Sequence, residues 1–210
     1  MFNMLIHCES LGITPTAFKK NIHNSYAVTP ANEKKHHSGT PIVHIWDWTA
    51  ECARRNGNIK NLLIACHGGY ADKEKSQKQQ GVLGIKLGSG LFTWNIASIG
   101  KLARRVSNIY LYVCGGAEDP LKPDILLEGA TQSVHPDYAT SNRTTCSLMA
   151  AHTEANVYAS ADLQSFDKSR FTGRFDFGKW EGKVEKFTPQ GRIEDVTKRM
   201  NGFGYETGNE

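Results

Sequence analysis

Short apolar runs recur along the chain, with room for one helix or loop between consecutive runs. Runs rich in aliphatic, β-branched and aromatic residues predict strands at residues 2–8, 25–30, 60–66, 109–113 and 156–160. Apolar positions at helical spacing predict helices at residues 42–55, 93–106 and 144–155. Because strands alternate with helices, the pattern predicts an α/β fold with a mostly parallel sheet covered by helices on both faces.

For the two later helices the sequence also predicts which residues face the core, and near the end of the chain it predicts a hairpin. The inner face of the helix at 93–106 is predicted to consist of Ile96, Ile99, Ala103 and Val106. The inner face of the helix at 144–155 is predicted to consist of Leu148, Ala151 or His152, and Ala155. Residues 175–193 predict a hairpin that turns at Pro189-Gln190-Gly191.

Two of the predicted strands end on a reactive side chain followed by paired glycines. Residues 61–66 lead to His67-Gly68-Gly69, and residues 108–113 lead to Cys114-Gly115-Gly116. Open α/β sheets bind and react with ligands outside the carboxyl ends of their strands. An imidazole and a thiol at that edge are positioned for nucleophilic catalysis, and glycines let the backbone approach a substrate closely.

His67 is the natural partner for Cys114, because a thiolate needs a neighbouring imidazole to take its proton. The two residues are 47 positions apart, which leaves room for one loop, one hairpin and one crossover helix between neighbouring strands. The alternative interpretation is that Cys114 is a buried structural thiol and His67 an ordinary loop histidine.

Composition narrows the functional classes. The 210 residues are expected to form a single domain over 1–210, and the +4 charge comes from scattered basic residues without a nucleic-acid-reading motif. Five cysteines, without CxxC pairs, favour a reduced cytoplasmic compartment. The N-terminal apolar run is too short for a membrane span and lacks the basic region of a signal peptide. Nucleic-acid and membrane partners are therefore not expected.

The other cysteines and histidines predict neither a metal site nor a cofactor site. Cys66 with Cys8, His7, His36 or His37 lacks zinc-finger or zinc-ribbon spacing. Because neighbouring residues of a strand face opposite ways, Cys66 is expected to lie on the face opposite His67, as a buried thiol. Cys146, at a predicted helix start, has either a depressed pKa or a packing role.

The two motifs together resemble a known family. Leu63-Ile64-Ala65-Cys66-His67-Gly68 and Tyr112-Val113-Cys114-Gly115-Gly116 are similar to the motifs of caspase-like (clan CD) cysteine peptidases, nearest to bacterial caspase-like domains. In that family His-Gly follows one core strand and a Cys closes the next. The spacing is similar to the ~50-residue gap of caspases, whose Gln-Ala-Cys-x-Gly signature is absent here. The likeness covers residues 59–166.

The resemblance implies a three-layer α/β/α domain and a cysteine endopeptidase that needs no cofactor. It implies His67 as general base and acid, Cys114 as nucleophile, and the backbone N–H groups of Gly68 and Cys114 as the oxyanion hole. It further implies that Asp162 lines a pocket for a basic P1 residue, although an Asp at a strand end is also a common turn or cap residue. Partners would be a protein or peptide substrate and, for activation, a protein partner or cleavage within residues 117–142.

Two other functions remain open at this point. One is a catalytically silent caspase-like domain that serves as a binding or scaffold module. The other is a hydrolase or transferase that acts on non-peptide acyl groups with the same His67 and Cys114 pair.

Overall fold

The strands of the protein form one large, mostly parallel sheet. The computed structural model describes residues 1–11, 22–31, 38–68, 85–93, 95–113, 116–117, 142–162, 180–201 and 204–209. The strands are β1 (Phe2–Cys8), β2 (Asn24–Val28), β3 (Ile59–Ala65), β4 (His67–Gly68), β5 (Ile85–Lys86), β6 (Val106–Tyr112), β7 (Asn156–Ser160), β8 (Val184–Phe187) and β9 (Ile193–Asp195). The helices are α1 (Ile42–Asn56) and α2 (Asn142–Thr153), with short 3-10 helices at Glu9–Leu11, Ile96–Leu102 and Thr197–Arg199.

Strand order within the sheet is β2-β1-β3-β6-β7-β8-β9, and β4 pairs separately with β5. Within the large sheet, β2, β1, β3, β6 and β7 run parallel to their neighbours, whereas β8 pairs antiparallel with β7 and with β9. Residues 188–192 turn between the last two strands, where the Thr188 carbonyl accepts a hydrogen bond from the Gly191 N–H at 2.9 Å. The α/β class, the mostly parallel sheet and the C-terminal hairpin are therefore confirmed.

The central strands are buried on both sides, as parallel sheet strands are expected to be. One face of the sheet, the helix-covered face, receives α1, α2 and the 3-10 helix Ile96–Leu102. The opposite face, the tyrosine face, contains Tyr110, Tyr112 and Tyr158. The rings of Tyr110 and Tyr158 stack with centroids 4.5 Å apart.

The C-terminal segment covers the tyrosine face. Trp180, Val196 and Tyr205 pack against it, and the Tyr158 hydroxyl donates a 2.7 Å hydrogen bond to Glu206. Among the residues that the structure describes, α1, α2 and the 3-10 helix Ile96–Leu102 form a layer on one face, and helices on the other face stay a prediction.

Two predicted helices differ from the observed ones. The region 93–106 contains a 3-10 helix over Ile96–Leu102, not an α-helix, and β6 already begins at Val106. Its buried residues Ile96, Ile99 and Leu102 recur every third position, which is the period of a 3-10 helix. The apolar residues therefore do repeat along this segment, but at the three-residue period of a 3-10 helix and not at the period of an α-helix.

The face that helix α2 presents to the core was predicted in part. Leu148 packs against the core and Ala155, just after the helix, is buried there, as predicted, but Ala151 and His152 are exposed. The helix instead buries Cys146, Met149, Ala150 and Thr153. Its first residue, Asn142, also precedes the predicted start. The helix mixes small and polar residues, so that several faces looked equally apolar from sequence alone.

A row of asparagines crosses the sheet near the amino-terminal ends of four strands, with Asn61 and Asn108 buried and Asn3 and Asn156 half-buried. Asn3, Asn61, Asn108 and Asn156 occupy matching register positions on β1, β3, β6 and β7. Asn61 donates to Asn3 at 3.1 Å, Asn108 donates to Asn61 at 3.2 Å, and Asn156 donates to Asn108 at 3.3 Å. This row, the asparagine ladder, satisfies polar groups in the interior and fixes the register of the strands.

None of the described helices is both long and apolar enough to cross a membrane.

Candidate functional site at the carboxyl ends of the strands

Strand register brings the two motif-bearing strands together. β3 and β6 are neighbours, with Ala65 opposite Tyr112. His67 and Cys114 each follow two residues after these partners, and neighbouring strands lie ~4.8 Å apart. Cys114 itself lies outside the described residues, so the comparison is one of chain position. The two motifs therefore follow the carboxyl ends of neighbouring strands, at equal distances along the chain from the last register pair.

His67 stands on the short ribbon formed by β4 and β5, where it pairs with Lys86. Its side chain is exposed. Desolvation, followed by the positive charge of Lys86, lowers the pKa of His67 below its usual 6.5. The imidazole is consequently neutral at pH 7 and able to accept a proton.

The residues on both sides of Cys114 are anchored in the core. Val113 is buried, and its carbonyl accepts a hydrogen bond from the Gly116 N–H at 3.3 Å. The Ala117 N–H donates to the carbonyl of Ser160 at 2.9 Å, which ties this segment to the end of β7. The residues immediately before and after positions 114–115 are therefore held by hydrogen bonds.

Cys146 contributes to this anchoring from α2. Its thiol donates a 3.1 Å hydrogen bond to the Gly116 carbonyl. Burial, as the largest cause, raises the pKa of Cys146 far above its usual value, so the thiol remains protonated and able to donate. Of the two readings open from sequence, the packing role is confirmed and the depressed pKa is wrong.

Asp162 lies at the same edge, two residues beyond the end of β7. Leu111 pairs with Ala159 on the neighbouring strand, and Asp162 follows three residues after this pair. Its N–H donates to the Ser160 hydroxyl at 3.2 Å, and its carboxylate accepts the Lys183 N–H at 3.2 Å. A Cβ at Gly182 would collide with this carboxylate. Asp162 therefore organises the loop before β8 as well as standing at the edge.

Gly68, the expected oxyanion residue on β4, pairs with Ile85 on β5. The backbone of the His-Gly motif is thus held by a second strand. The role of its N–H stays a prediction.

The structure adds two charged residues that the sequence argument did not include. Lys86 stands opposite His67, and Glu9 follows directly after β1, where its carboxylate accepts the Thr29 hydroxyl at 3.0 Å. Glu9 is detectable only once β1 is known to neighbour β3. Lys86 is detectable only once β5 is known to pair with β4.

The remaining cysteine expectations concern the helix-covered face. Cys66 is buried there, while His67 is exposed, so the predicted alternation between these neighbours is confirmed. Among the residues that the structure describes, no three His, Cys, Asp or Glu side chains form a group able to hold a metal ion. His36 and His37 lie outside those residues.

Comparison of the chain with protein-family models, with curated proteins and with solved structures gave no match.

Proposed function

We propose that the protein is a cysteine endopeptidase of the caspase-like type, with Cys114 as nucleophile and His67 as general base and acid. The observation that carries the proposal is the adjacency of β3 and β6, because His67 and Cys114 each follow two residues after their last register pair, Ala65 and Tyr112. The resemblance of both motifs to clan CD peptidases supports the same assignment, as does the α/β fold with its mostly parallel sheet. The three-layer caspase-like architecture is part of the proposal.

The chemistry follows from the two side chains. His67 takes the proton of the Cys114 thiol, and the thiolate attacks the carbonyl carbon of the scissile peptide bond. The N–H groups of Gly68 and Cys114 stabilise the oxyanion that forms. His67 then gives its proton to the departing amine, which leaves a thioester on Cys114. Water, deprotonated by His67, attacks the thioester and restores the thiol.

The lowered pKa of His67 suits this role, because the imidazole must be neutral to accept the first proton. The neighbouring Lys86 favours that neutral form electrostatically.

We propose a preference for a basic P1 residue through Asp162, which stands at the same edge. Its carboxylate also accepts a backbone hydrogen bond from Lys183. The hydrogen bond shows that Asp162 holds the backbone at Lys183. Its contact with a basic P1 side chain is what the experiment has to test.

The decisive experiment is labelling by peptidyl acyloxymethyl ketones with each amino acid in turn at P1. We expect covalent labelling that disappears in Cys114→Ala and His67→Ala but persists in Cys52→Ala, whose thiol lies on α1 away from this edge. Asp162→Asn is expected to weaken labelling by Lys and Arg probes more than labelling by the other probes.

Absence of labelling with every P1 residue, in a protein whose circular dichroism shows a folded state, would contradict the proposal. Such a result, obtained with and without limited proteolysis within residues 117–142, would favour the silent binding or scaffold module. Labelling by acyl probes that carry no peptide would instead favour a hydrolase or transferase for other acyl groups.

A further inference from the structure

Cys8 and Cys66 form a pair of thiols behind the His67 motif. His7 pairs with Ala65 across β1 and β3, so the next residue on each chain, Cys8 and Cys66, stands at matching positions. Both thiols are buried on the helix-covered face, and both are reduced. Neither residue has a part in the proposed peptidase chemistry.

The backbone spacing suits a covalent link. In-register residues of neighbouring strands have Cα atoms ~4.8 Å apart, inside the ~4.4–6.8 Å range seen for disulfide-bonded cysteines. Both side chains also point to the same face of the sheet, because both belong to the core cluster beneath the helices. The side chains of Cys8 and Cys66 are already close enough to share a hydrogen bond, so a disulfide between them is within reach.

The surroundings of Cys8 favour its reactive form. A hydrogen bond from the Cys66 side chain is the main cause that lowers the pKa of Cys8, and the backbone N–H groups of Gly88 and His67 add to it. Burial and the carboxylate of Glu9 act in the opposite direction. By contrast, burial raises the pKa of both Cys52 and Cys146. The lowered pKa thus distinguishes Cys8 from Cys52 and Cys146, and it makes the Cys8 thiol the easier of the three to deprotonate.

The same pair is connected to His67 through short contacts. The Cys8 thiol donates a 3.1 Å hydrogen bond to the carbonyl of Lys86, the residue that pairs with His67. Cys66 is the residue directly before His67. A change at either sulfur is therefore transmitted to both strands of the ribbon that holds the imidazole.

We propose that Cys8 and Cys66 are a peroxide-sensitive modification site that closes to a reversible intramolecular disulfide and thereby alters the setting of His67. The inference goes beyond the peptidase proposal and does not depend on it.

The reaction balances with hydrogen peroxide as oxidant. The Cys8 thiolate attacks one peroxide oxygen, the O–O bond breaks, and the hydroxide released takes up a proton to give water. Cys66 then attacks the sulfenic sulfur of Cys8, the S–O bond breaks, and the hydroxyl leaves with the Cys66 proton as a second water. Two thiols are oxidised and one peroxide is reduced. The closed disulfide can no longer donate a hydrogen bond to the Lys86 carbonyl.

The test uses the full chain carrying Cys114→Ser, so that the proposed nucleophile neither reacts nor exchanges. The protein is treated with hydrogen peroxide, alkylated, digested and analysed by mass spectrometry. We expect a cross-linked peptide pair containing Cys8 and Cys66, with two hydrogens lost, while Cys52 and Cys146 are alkylated. Dithiothreitol should restore alkylation of Cys8 and Cys66.

Cys52 is the discriminating control, because it is more exposed than Cys8, at 8% against 0%. If accessibility alone governed oxidation, Cys52 would be oxidised first, and that result would overturn the proposal. So would continued alkylation of both Cys8 and Cys66 after peroxide.

The effect on His67 is read from its imidazole resonances by NMR in the same protein, assigned with His67→Ala. We expect them to shift on oxidation, to return on reduction, and not to move when Cys8→Ala or Cys66→Ala protein is treated. Resonances that stay unchanged while the disulfide forms would overturn the link to His67.

Discussion

The two ends of the same parallel strands are built for different purposes. At the amino-terminal ends, the asparagine ladder places one residue type at matching positions on four strands, and each amide bonds to the next. At the carboxyl-terminal ends, matching positions hold chemically different residues, with His67 on the β3 side and Asp162 after β7. The amino-terminal ends therefore repeat one residue type from strand to strand, whereas the residue type changes from strand to strand at the carboxyl-terminal ends.

Under the proposed function, the two ends of the strands divide stability from chemistry. Repeated, mutually bonded amides penalise any shift of strand register, because a shift by one residue would break the row and leave buried polar groups unpaired. With register fixed at one end, the residues that follow the other end arrive at set positions. Variants at the two ends are therefore expected to separate activity from stability.

The largest expected effect is at the carboxyl-terminal end. If the proposed peptidase mechanism holds, His67→Ala should lower kcat/KM on a peptide substrate by about 10²–10⁴-fold, because the proposed general base and acid is lost. The side chain is exposed, so the thermal midpoint should be nearly unchanged. Steady-state kinetics and thermal unfolding check the two halves of the expectation.

His44→Ala is the matched control, since this histidine is exposed on α1. It should leave both quantities unchanged. Full activity of His67→Ala would show that the imidazole is not the general base. A large loss of stability in His67→Ala would contradict the expectation that the carboxyl-terminal ends contribute little to stability.

In the asparagine ladder we expect a smaller effect, which lowers stability and leaves activity unchanged. Asn108 donates to Asn61 and accepts from Asn156, and it is almost fully buried. Asn108→Ala should lower the free energy of unfolding by about 1–3 kcal/mol, because buried partners lose their hydrogen bonds. Urea denaturation measures this change, and activity per folded molecule should persist.

Asn58→Ala serves as its control, because Asn58 is exposed and its amide bonds to the Arg104 carbonyl at 3.1 Å. Its free energy of unfolding should change by less than about 0.5 kcal/mol. Equal effects of Asn108→Ala and Asn58→Ala would show that the ladder has no special part in stability.

The smallest effect concerns pH and His7. Burial lowers the pKa of His7 below 6.5, against the opposing contributions of the Cys8 backbone and Glu9. The unfolded chain therefore binds a proton more readily, so stability is complete above pH 6.5 and falls as the pH drops towards the folded pKa. Urea titrations at several pH values should show this decline.

His7→Leu should reduce the pH dependence, leaving the part due to His67, whose lowered pKa acts with the same sign. An unchanged slope in His7→Leu would show that His7 is not a source of the acid sensitivity.

Much of the backbone was readable from sequence because the central strands are nearly continuous apolar runs. β1 and β7 have the predicted bounds, and β3 differs from its prediction by one residue at each end. The sequence predicted less well which face of a helix is buried. α2 has few strongly apolar side chains, so its buried face depends on how it sits on β7 and on the 3-10 helix Ile96–Leu102.

The candidate site was readable in part. His67 and Cys114 stood out because each follows a strand and precedes glycines. The involvement of Glu9, Lys86 and Cys8 was not readable, because it depends on which strands are neighbours. Nothing within the Phe2–Cys8 run indicates that β3 lies beside it.

By itself the sequence determined where strands form and which residue follows each one, since those properties depend on local runs of side chains. Only the tertiary structure decided that Cys8 stands beside Cys66, that Lys86 faces His67 and that four asparagines form one row. The physical reason is that hydrogen bonds between strands join residues distant along the chain, and the order and register of those strands are set by the packing of the whole sheet.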